Sequence, residues 1–138
     1  MSKVAVIYWS GTGNTQAMAA AVADGAKESG AAVDLLTSGK VNDISVYNAV
    51  ILGCPAMGAE ELEDGEFLPM LESIEPALPG KKVALFGSYG WGDGEWMRSW
   101  ESRCGEKGIS LAADSLIVNE APDAEGIAKC KALGAALA

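Results

Sequence analysis

The sequence contains no histidine, and its ten basic residues are outnumbered by nineteen acidic ones in a chain of 138. Without histidine, a Ser-His-Asp or Cys-His nucleophile is excluded and the commonest metal ligand is missing. We therefore expect neither a catalytic residue nor a metal site. The formal net charge of −9 argues against nucleic acid or an anionic membrane as a partner, because phosphate groups attract positive surfaces. Basic proteins remain possible partners.

Cysteines are few, and long apolar runs are absent. Cys54, Cys104 and Cys130 lie far apart without a C-x-x-C motif, which predicts free thiols in a reducing compartment. No apolar run is long enough to cross a bilayer, and the N-terminus lacks the pattern of a secretory signal. Hydrophobic residues make up 49% of the chain, which predicts one globular domain over residues 1–138. We expect this domain to be monomeric and cytoplasmic.

Apolar runs and helical patterns alternate along the chain. Strands are predicted at residues 3–9, 31–36, 48–54, 81–87 and 110–118, the last interrupted near Asp114. Helices are predicted at residues 14–29, 66–74, 94–108 and 123–137, the last with Asp123 as its N-cap. This alternation predicts an α/β fold with a doubly wound five-stranded parallel sheet and helices on both faces. Ligands of such sheets bind beyond the carboxyl ends of the strands.

The loop after the first strand, "SGTGNT" at residues 10–15, is rich in hydrogen-bond donors and contains no Lys or Arg. Backbone N–H groups at a helix start favour an anion, and Ser10, Thr12, Asn14 and Thr15 add side-chain donors. The lysine of a nucleotide-triphosphate loop is missing. A dinucleotide fingerprint fits Gly11 and Gly13, but Gln16 takes the place of its third glycine and Asp34 falls inside a strand. A single terminal phosphate fits better than either motif, and a plain helix cap is the simpler alternative.

Two further loops offer groups for a flat ligand. In "SYGWGDGEW", residues 88–96, the rings of Tyr89 and Trp91 stand between glycines, a setting typical of stacking on a planar group. A core tryptophan on a tight turn is the alternative. In the loop at 55–66, Met57 offers a soft thioether for a ring face and Glu60 can accept a hydrogen bond from a ring N–H. A monophosphate at one end and a planar heterocycle between Met57 and Trp91 together predict FMN.

Five stretches carry a resemblance to short-chain flavodoxins: "YWSGTGNT", "LGCPAMG", "EELED", "GKKVALFGSYGWGDGEW" and "IVNEAPD". The resemblance implies strand order 2-1-3-4-5, non-covalent FMN, and one-electron transfer between redox enzymes through the semiquinone and hydroquinone. By match, Ser88 joins the first loop at the phosphate, Met57 and Trp91 flank the ring, and Tyr89 lies beside the ribityl chain or the ring edge. The expected cofactor-binding residues are Ser10, Gly11, Thr12, Gly13, Asn14, Thr15, Pro55, Ala56, Met57, Gly58, Ala59, Glu60, Ser88, Tyr89, Gly90, Trp91, Gly92 and Asp93.

The expected function is that of a low-potential carrier and not of a stand-alone enzyme. Acidic residues crowd the two loops that flank the ring, which opposes added negative charge and attracts basic docking surfaces of redox partners. Gly58 suits a turn whose central peptide rotates after reduction, as the resemblance implies, because glycine tolerates positive φ. The first alternative is an FMN-dependent NAD(P)H:quinone reductase, for which no basic cluster is found. The second is a response-regulator-like module, whose acids at the first strand are replaced by hydroxyls.

Overall fold

The computed structural model describes residues 2–138, which form five strands and four α-helices. All strand pairs are parallel, and their order is β2-β1-β3-β4-β5, as the resemblance implied. Short 3₁₀ turns follow β2 at Ser38–Lys40 and α2 at Glu75–Ala77. The elements are β1 Lys3–Tyr8, α1 Asn14–Glu28, β2 Ala32–Thr37, β3 Ala49–Gly53, α2 Phe67–Ile74, β4 Lys82–Tyr89, α3 Glu95–Glu106, β5 Leu116–Asn119 and α4 Ala124–Leu137.

The three central strands are buried on both faces, because their residues alternate between two hydrophobic layers. Val6 and Ile51 face a layer that includes residues of α1 and α4, whereas Ile7 and Leu52 face one that includes residues of α2 and α3. Helices α1 and α4 approach closely at Gly134 of α4, because a Cβ there would overlap the carbonyl oxygen of Val22 in α1.

The predicted strands and helices agree with the structure except at some ends. The predicted fifth strand is interrupted near Asp114 as expected, since Leu111 makes one isolated bridge with Val83 and the continuous paired strand begins at Leu116. Strand β5 ends at Asn119, which pairs with Tyr89 at the end of β4. The residues that follow β5 therefore lie at the sheet edge where β4 ends. Asp123 caps α4 as predicted, since its carboxylate accepts a hydrogen bond from the backbone N–H of Gly126 at 2.8 Å.

Pro69 does not prevent α2, because it occupies the first turn, where a helical N–H has no intrahelical partner. The helix is joined to α3 by an ion pair. The buried Glu75 carboxylate, at the end of α2, accepts hydrogen bonds from Arg103 at 2.6 and 2.8 Å. Over residues 2–138, no helix is both long and apolar enough to cross a membrane.

Candidate functional site

The loops after β1, β3 and β4 meet beyond the carboxyl edge of the sheet and enclose a pocket of about 560 Å³. This volume is typical of sites for small organic ligands. Ten predicted cofactor-binding residues lie on its wall: Gly11, Thr12, Asn14, Pro55, Ala56, Met57, Gly58, Ser88, Tyr89 and Gly90. Three residues that sequence reasoning did not assign to the site, Trp9, Glu120 and Ala121, complete the wall.

One end of the pocket is formed by residues 10–15, the predicted phosphate loop, which runs into α1. The hydroxyl oxygen of Ser10 accepts hydrogen bonds from the backbone N–H groups of Gly13 at 3.1 Å and Gln16 at 3.2 Å. Its own proton is left for a further acceptor. The first turn of α1 contains no acidic residue, so the positive end of the helix dipole is not neutralised there. This end of the pocket therefore favours an anion.

Hydrogen bonds of Thr15 and Ser88 connect the start of α1, the end of β4 and the residues that follow β5. The Thr15 hydroxyl oxygen is buried and accepts the backbone N–H of Ser88 at 3.4 Å. The Ser88 hydroxyl donates to the Glu120 carbonyl at 2.7 Å, and the Glu120 N–H donates to the Tyr89 carbonyl at 2.8 Å. Glu120 has a left-handed backbone, with φ of 56°, which is uncommon for a residue other than glycine. The predicted phosphate role of Ser88 thus competes with an internal bond to Glu120.

The signal that could have found Glu120 and Ala121 is the position of β5. This strand pairs with β4, so the residues that follow it lie at the same sheet edge as the other loops. Trp9 was missed because it was assigned to the end of the first strand. Its indole instead covers Gly11, where a Cβ would lie only 3.0 Å from the ring.

The opposite end of the pocket contains the turn at residues 57–60. The Glu60 N–H donates to the Met57 carbonyl at 2.8 Å, and the Met57 N–H donates to the Glu61 carbonyl at 3.0 Å. Glu60 is left-handed, with φ of 54°, whereas Gly58 has no positive φ. The turn is therefore not in its type II′ form. A Cβ at Gly58 would have no neighbour within 4 Å, so the chain is open to solvent or ligand there.

The side chain of Glu60 lies beside the pocket and not on its wall. One carboxylate oxygen, Oε1, is buried without a hydrogen-bond partner, and it stands where a Cβ of Gly92 would be. Glu60 also lines a second cavity of about 530 Å³, between the acidic loop at residues 60–66 and α3. A buried carboxylate oxygen without a donor is unfavourable, so a ligand that brings an N–H to this edge would satisfy it.

The 90s loop, residues 90–94, closes this end of the site. Tyr89, just before it, is fixed against the Trp96 ring, with centroids 5.7 Å apart. The Trp96 indole N–H in turn donates to the Cys54 carbonyl at 3.1 Å. Trp91 is 63% exposed, and Trp91, Gly92 and Asp93 lie outside the pocket wall. The two rings therefore differ, since Tyr89 is held by its neighbours and Trp91 is available for stacking.

Two residues near the site are occupied elsewhere. Cys54 is fully buried, and burial raises the pKa of its thiol to about 12, so it remains a neutral filler at the end of β3. Asp34 accepts a hydrogen bond from the Tyr47 hydroxyl at 2.6 Å and does not line the pocket. Asp34 lies inside β2 and is not placed to serve as the acidic residue of a dinucleotide site.

The fold and site together define a class of protein, namely a doubly wound α/β fold with a pocket beyond the carboxyl edge of the sheet, a donor-rich loop after β1 and aromatic side chains at the pocket. Comparison with known proteins narrows this class. A family model described as flavodoxin matches residues 6–134. The flavodoxin of Megasphaera elsdenii is 47% identical over 98% of both chains, and that of Clostridium beijerinckii is 50% identical over 86% of this chain and 87% of the relative.

Solved structures agree with these relatives. The solution structure of two-electron reduced Megasphaera elsdenii flavodoxin superposes with a TM-score of 0.89, at 46% identity and 97% coverage of both chains. A flavodoxin from the domain Archaea superposes with a TM-score of 0.84, at 27% identity, over 98% of this chain and 95% of that one. The chain belongs to the flavodoxin family, in its short-chain group. It is an electron carrier that uses FMN, and the quinone-reductase alternative is not favoured.

Proposed function

We propose that FMN is held with its phosphate at the phosphate loop and its ring at the 57–60 turn and the 90s loop. Two observations fit this group: an α1 N-terminus without a neutralising acid, and a buried Glu60 oxygen without a donor. The second carries the proposal, because a ring N–H is the kind of donor that this oxygen lacks. The residues that would hold FMN are those predicted from the sequence, together with Trp9, Glu120 and Ala121 on the wall.

FMN supplies the electron-carrying group when it is bound, and the protein sets its affinity and its potential. Ser10, Thr12 and Asn14 would bind the phosphate through neutral donors. Met57 and Tyr89 would exclude water from the ring. A negative charge roughly 10 Å from an added electron costs about 1.7 kcal/mol at an effective dielectric near 20, before salt screening. The acidic residues of the 60–66 loop would therefore lower the potential of the second electron.

The same charges support a proposal about partners. Glu61 and Asp64 are exposed and line the same cavity as Glu60 beside the ring end, and the net charge of the chain is −9. They would attract redox partners with basic docking surfaces and raise the rate of encounter. The whole chain would act as one monomeric domain. The three cysteines are free and buried, which suits a reducing compartment such as the cytoplasm.

We also propose that the protein is not an enzyme in its own right. None of the residues on the pocket wall is Lys or Arg, so no cation lines the pocket to hold an NAD(P)H phosphate. Mixed anaerobically with NADPH alone, the FMN-loaded protein should keep its visible absorbance. Addition of a separate NADPH-dependent flavodoxin reductase should then bleach it. Rapid bleaching by NADPH alone would contradict the proposal and revive the quinone-reductase alternative.

A further inference from the structure

The 90s loop has few internal restraints. Gly90, Gly92 and Gly94 leave Trp91 and Asp93 as the loop's only side chains, and Gly92 and Gly94 have φ of 84° and 94°. Within residues 2–138, no backbone–backbone hydrogen bond connects residues 90–93 with another segment. The position of Trp91 must therefore depend on contacts that reach the loop from outside.

Arg98, in the first turns of α3, supplies such a contact. Its guanidinium donates to the Asp93 carbonyl at 3.0 Å and to the Asp93 carboxylate at 2.8 Å. A planar guanidinium can span both oxygens at once, which the single ammonium of lysine does less well. The first of these bonds holds the main chain itself, two residues after Trp91. On its other side the loop is bounded by Glu60, whose carboxylate packs against Gly92.

The contact also changes the charge of this side of the site. The hydrogen bond from Arg98 and its positive charge hold the pKa of Asp93 below its usual value. The pKa of Arg98 is raised in turn, mainly by its hydrogen bond with Asp93 and the Asp93 charge, and less by the charges of Glu95 and Glu60. Asp93 is thus paired with a positive charge, whereas the exposed acids of the 60–66 loop face solvent. The acidic rim is stronger on the side of the 57–60 turn than on the side of the 90s loop.

We infer that Arg98 is a positioning residue for the bound cofactor: it holds the 90s loop, and with it Trp91, at the ring end of the site. Its charge also offsets the acids around that end and keeps the potential from falling further. The inference rests on the proposed FMN site, but the restraint on the loop is a property of the protein alone.

The first arm of the test uses the protein without FMN and measures the backbone ¹⁵N order parameters of residues 90–94. Arg98→Gln removes both the positive charge and the forked guanidinium, whereas Arg98→Lys keeps the positive charge without the forked geometry. Lys129→Gln is the matched control, because Lys129 belongs to an exposed ion pair with Glu125 on α4 and does not line the pocket. Both Arg98 variants should lower the order parameters of this loop toward the values below about 0.6 that mark a flexible backbone. The control should match the parent.

The second arm measures FMN affinity and the midpoint potentials. Both Arg98 variants should bind FMN about three- to fivefold more weakly than the parent. Only Arg98→Gln should also lower the potential of the second electron, because Arg98→Lys retains the charge. Unchanged order parameters in Arg98→Gln, or lower order parameters without loss of affinity, would overturn the inference. Absence of FMN binding by the parent itself would instead refute the proposed site, while the order parameters would still test the restraint.

Discussion

At the predicted phosphate end of the pocket, the hydroxyl oxygens of Ser10 and Thr15 are held in internal hydrogen bonds, whereas at the predicted ring end one buried carboxylate oxygen of Glu60 is left unpaired. In the phosphate loop, Ser10 accepts two backbone N–H groups and Thr15 is fixed to the next strand. At the ring end, Glu60 keeps an unpaired oxygen, and the exposed Trp91 stands in a loop with little hydrogen bonding of its own.

The difference teaches how one small site can combine tight binding with adjustable redox properties. A preformed donor loop binds a phosphate whose charge is the same in every redox state, so it adds affinity without favouring one state. Groups at the ring end meet a charge that changes on reduction, so they set the potential. The phosphate end would therefore be the anchor and the ring end the part that adjusts.

The largest effect should come from removing the phosphate of the ligand. The parent protein should bind FMN at least about a hundredfold more tightly than riboflavin, since two or more hydrogen bonds to a charged group contribute roughly 1.5–3 kcal/mol each. Fluorescence titration with both flavins measures this ratio. Equal affinities would show that the phosphate loop is not the anchor.

The next largest effect is expected at the contact between the Glu60 side chain of the 57–60 turn and Gly92 of the 90s loop. Gly92→Ala and Gly80→Ala both place a side chain at positive φ, 84° and 91°, and each should cost about 1–2 kcal/mol in the free energy of unfolding. Only at Gly92 would the Cβ displace the Glu60 carboxylate, since Gly80 has no neighbour within 4 Å. Urea unfolding should therefore show similar losses of stability from the φ change.

FMN titration separates the two variants. Gly92→Ala should also lose about tenfold in FMN affinity, equivalent to roughly 1.4 kcal/mol, and Gly80→Ala should lose none. Equal FMN affinity in the two variants would mean that the contact between Glu60 and Gly92 has no part in the site.

A smaller effect is expected at Gly58. Gly58→Thr should fold normally, because φ is not positive there and a Cβ meets no neighbour. If the turn adopts positive φ after reduction, the β-branched residue opposes that change by about 1 kcal/mol. Potentiometry should then show that the first midpoint potential falls relative to the second. Ala59→Thr, in the same turn, is the control and should leave the two potentials in place. Equal changes of the midpoint potentials in Gly58→Thr and Ala59→Thr would argue against rotation of the central peptide of the turn.

The smallest effect concerns the acidic loop and pH. Although burial opposes it, three backbone N–H donors, from Phe67, Glu66 and Gly65, hold the pKa of Glu63 below its ordinary value of 4.5. The stabilisation is therefore present above that value and is lost as the pH falls through the lowered pKa.

Glu63→Gln should cost about 1 kcal/mol of unfolding free energy at pH 7, as for other helix caps, and almost nothing near pH 3. Asp24→Asn, an exposed carboxylate on α1, is the control with the same change in charge. A loss that is independent of pH would show that the hydrogen bonds do not depend on the ionised carboxylate.

Most of the fold was predictable, because buried strands and amphipathic helices are local patterns. The start of β5 was not, since the sequence does not reveal where pairing with β4 resumes after Leu111. The site was partly predictable from the tips of the strands. The positions of Glu60 and Glu120 depend on left-handed backbones that no pattern indicates for glutamate. The pair of Asp93 and Arg98 was missed because it bridges a loop and a helix, outside the usual spacing of three or four residues.

The most direct test of the central claim compares one variant from each end in the same potentiometric titration. Ser10→Ala should weaken FMN binding by about tenfold, the loss of one hydrogen bond to a charged group, and leave both midpoint potentials unchanged. Glu60→Gln should raise the second potential, because it removes a negative charge beside the ring, and should weaken FMN binding as well. A potential shift in Ser10→Ala, or its absence in Glu60→Gln, would contradict the division into an anchoring end and an adjusting end.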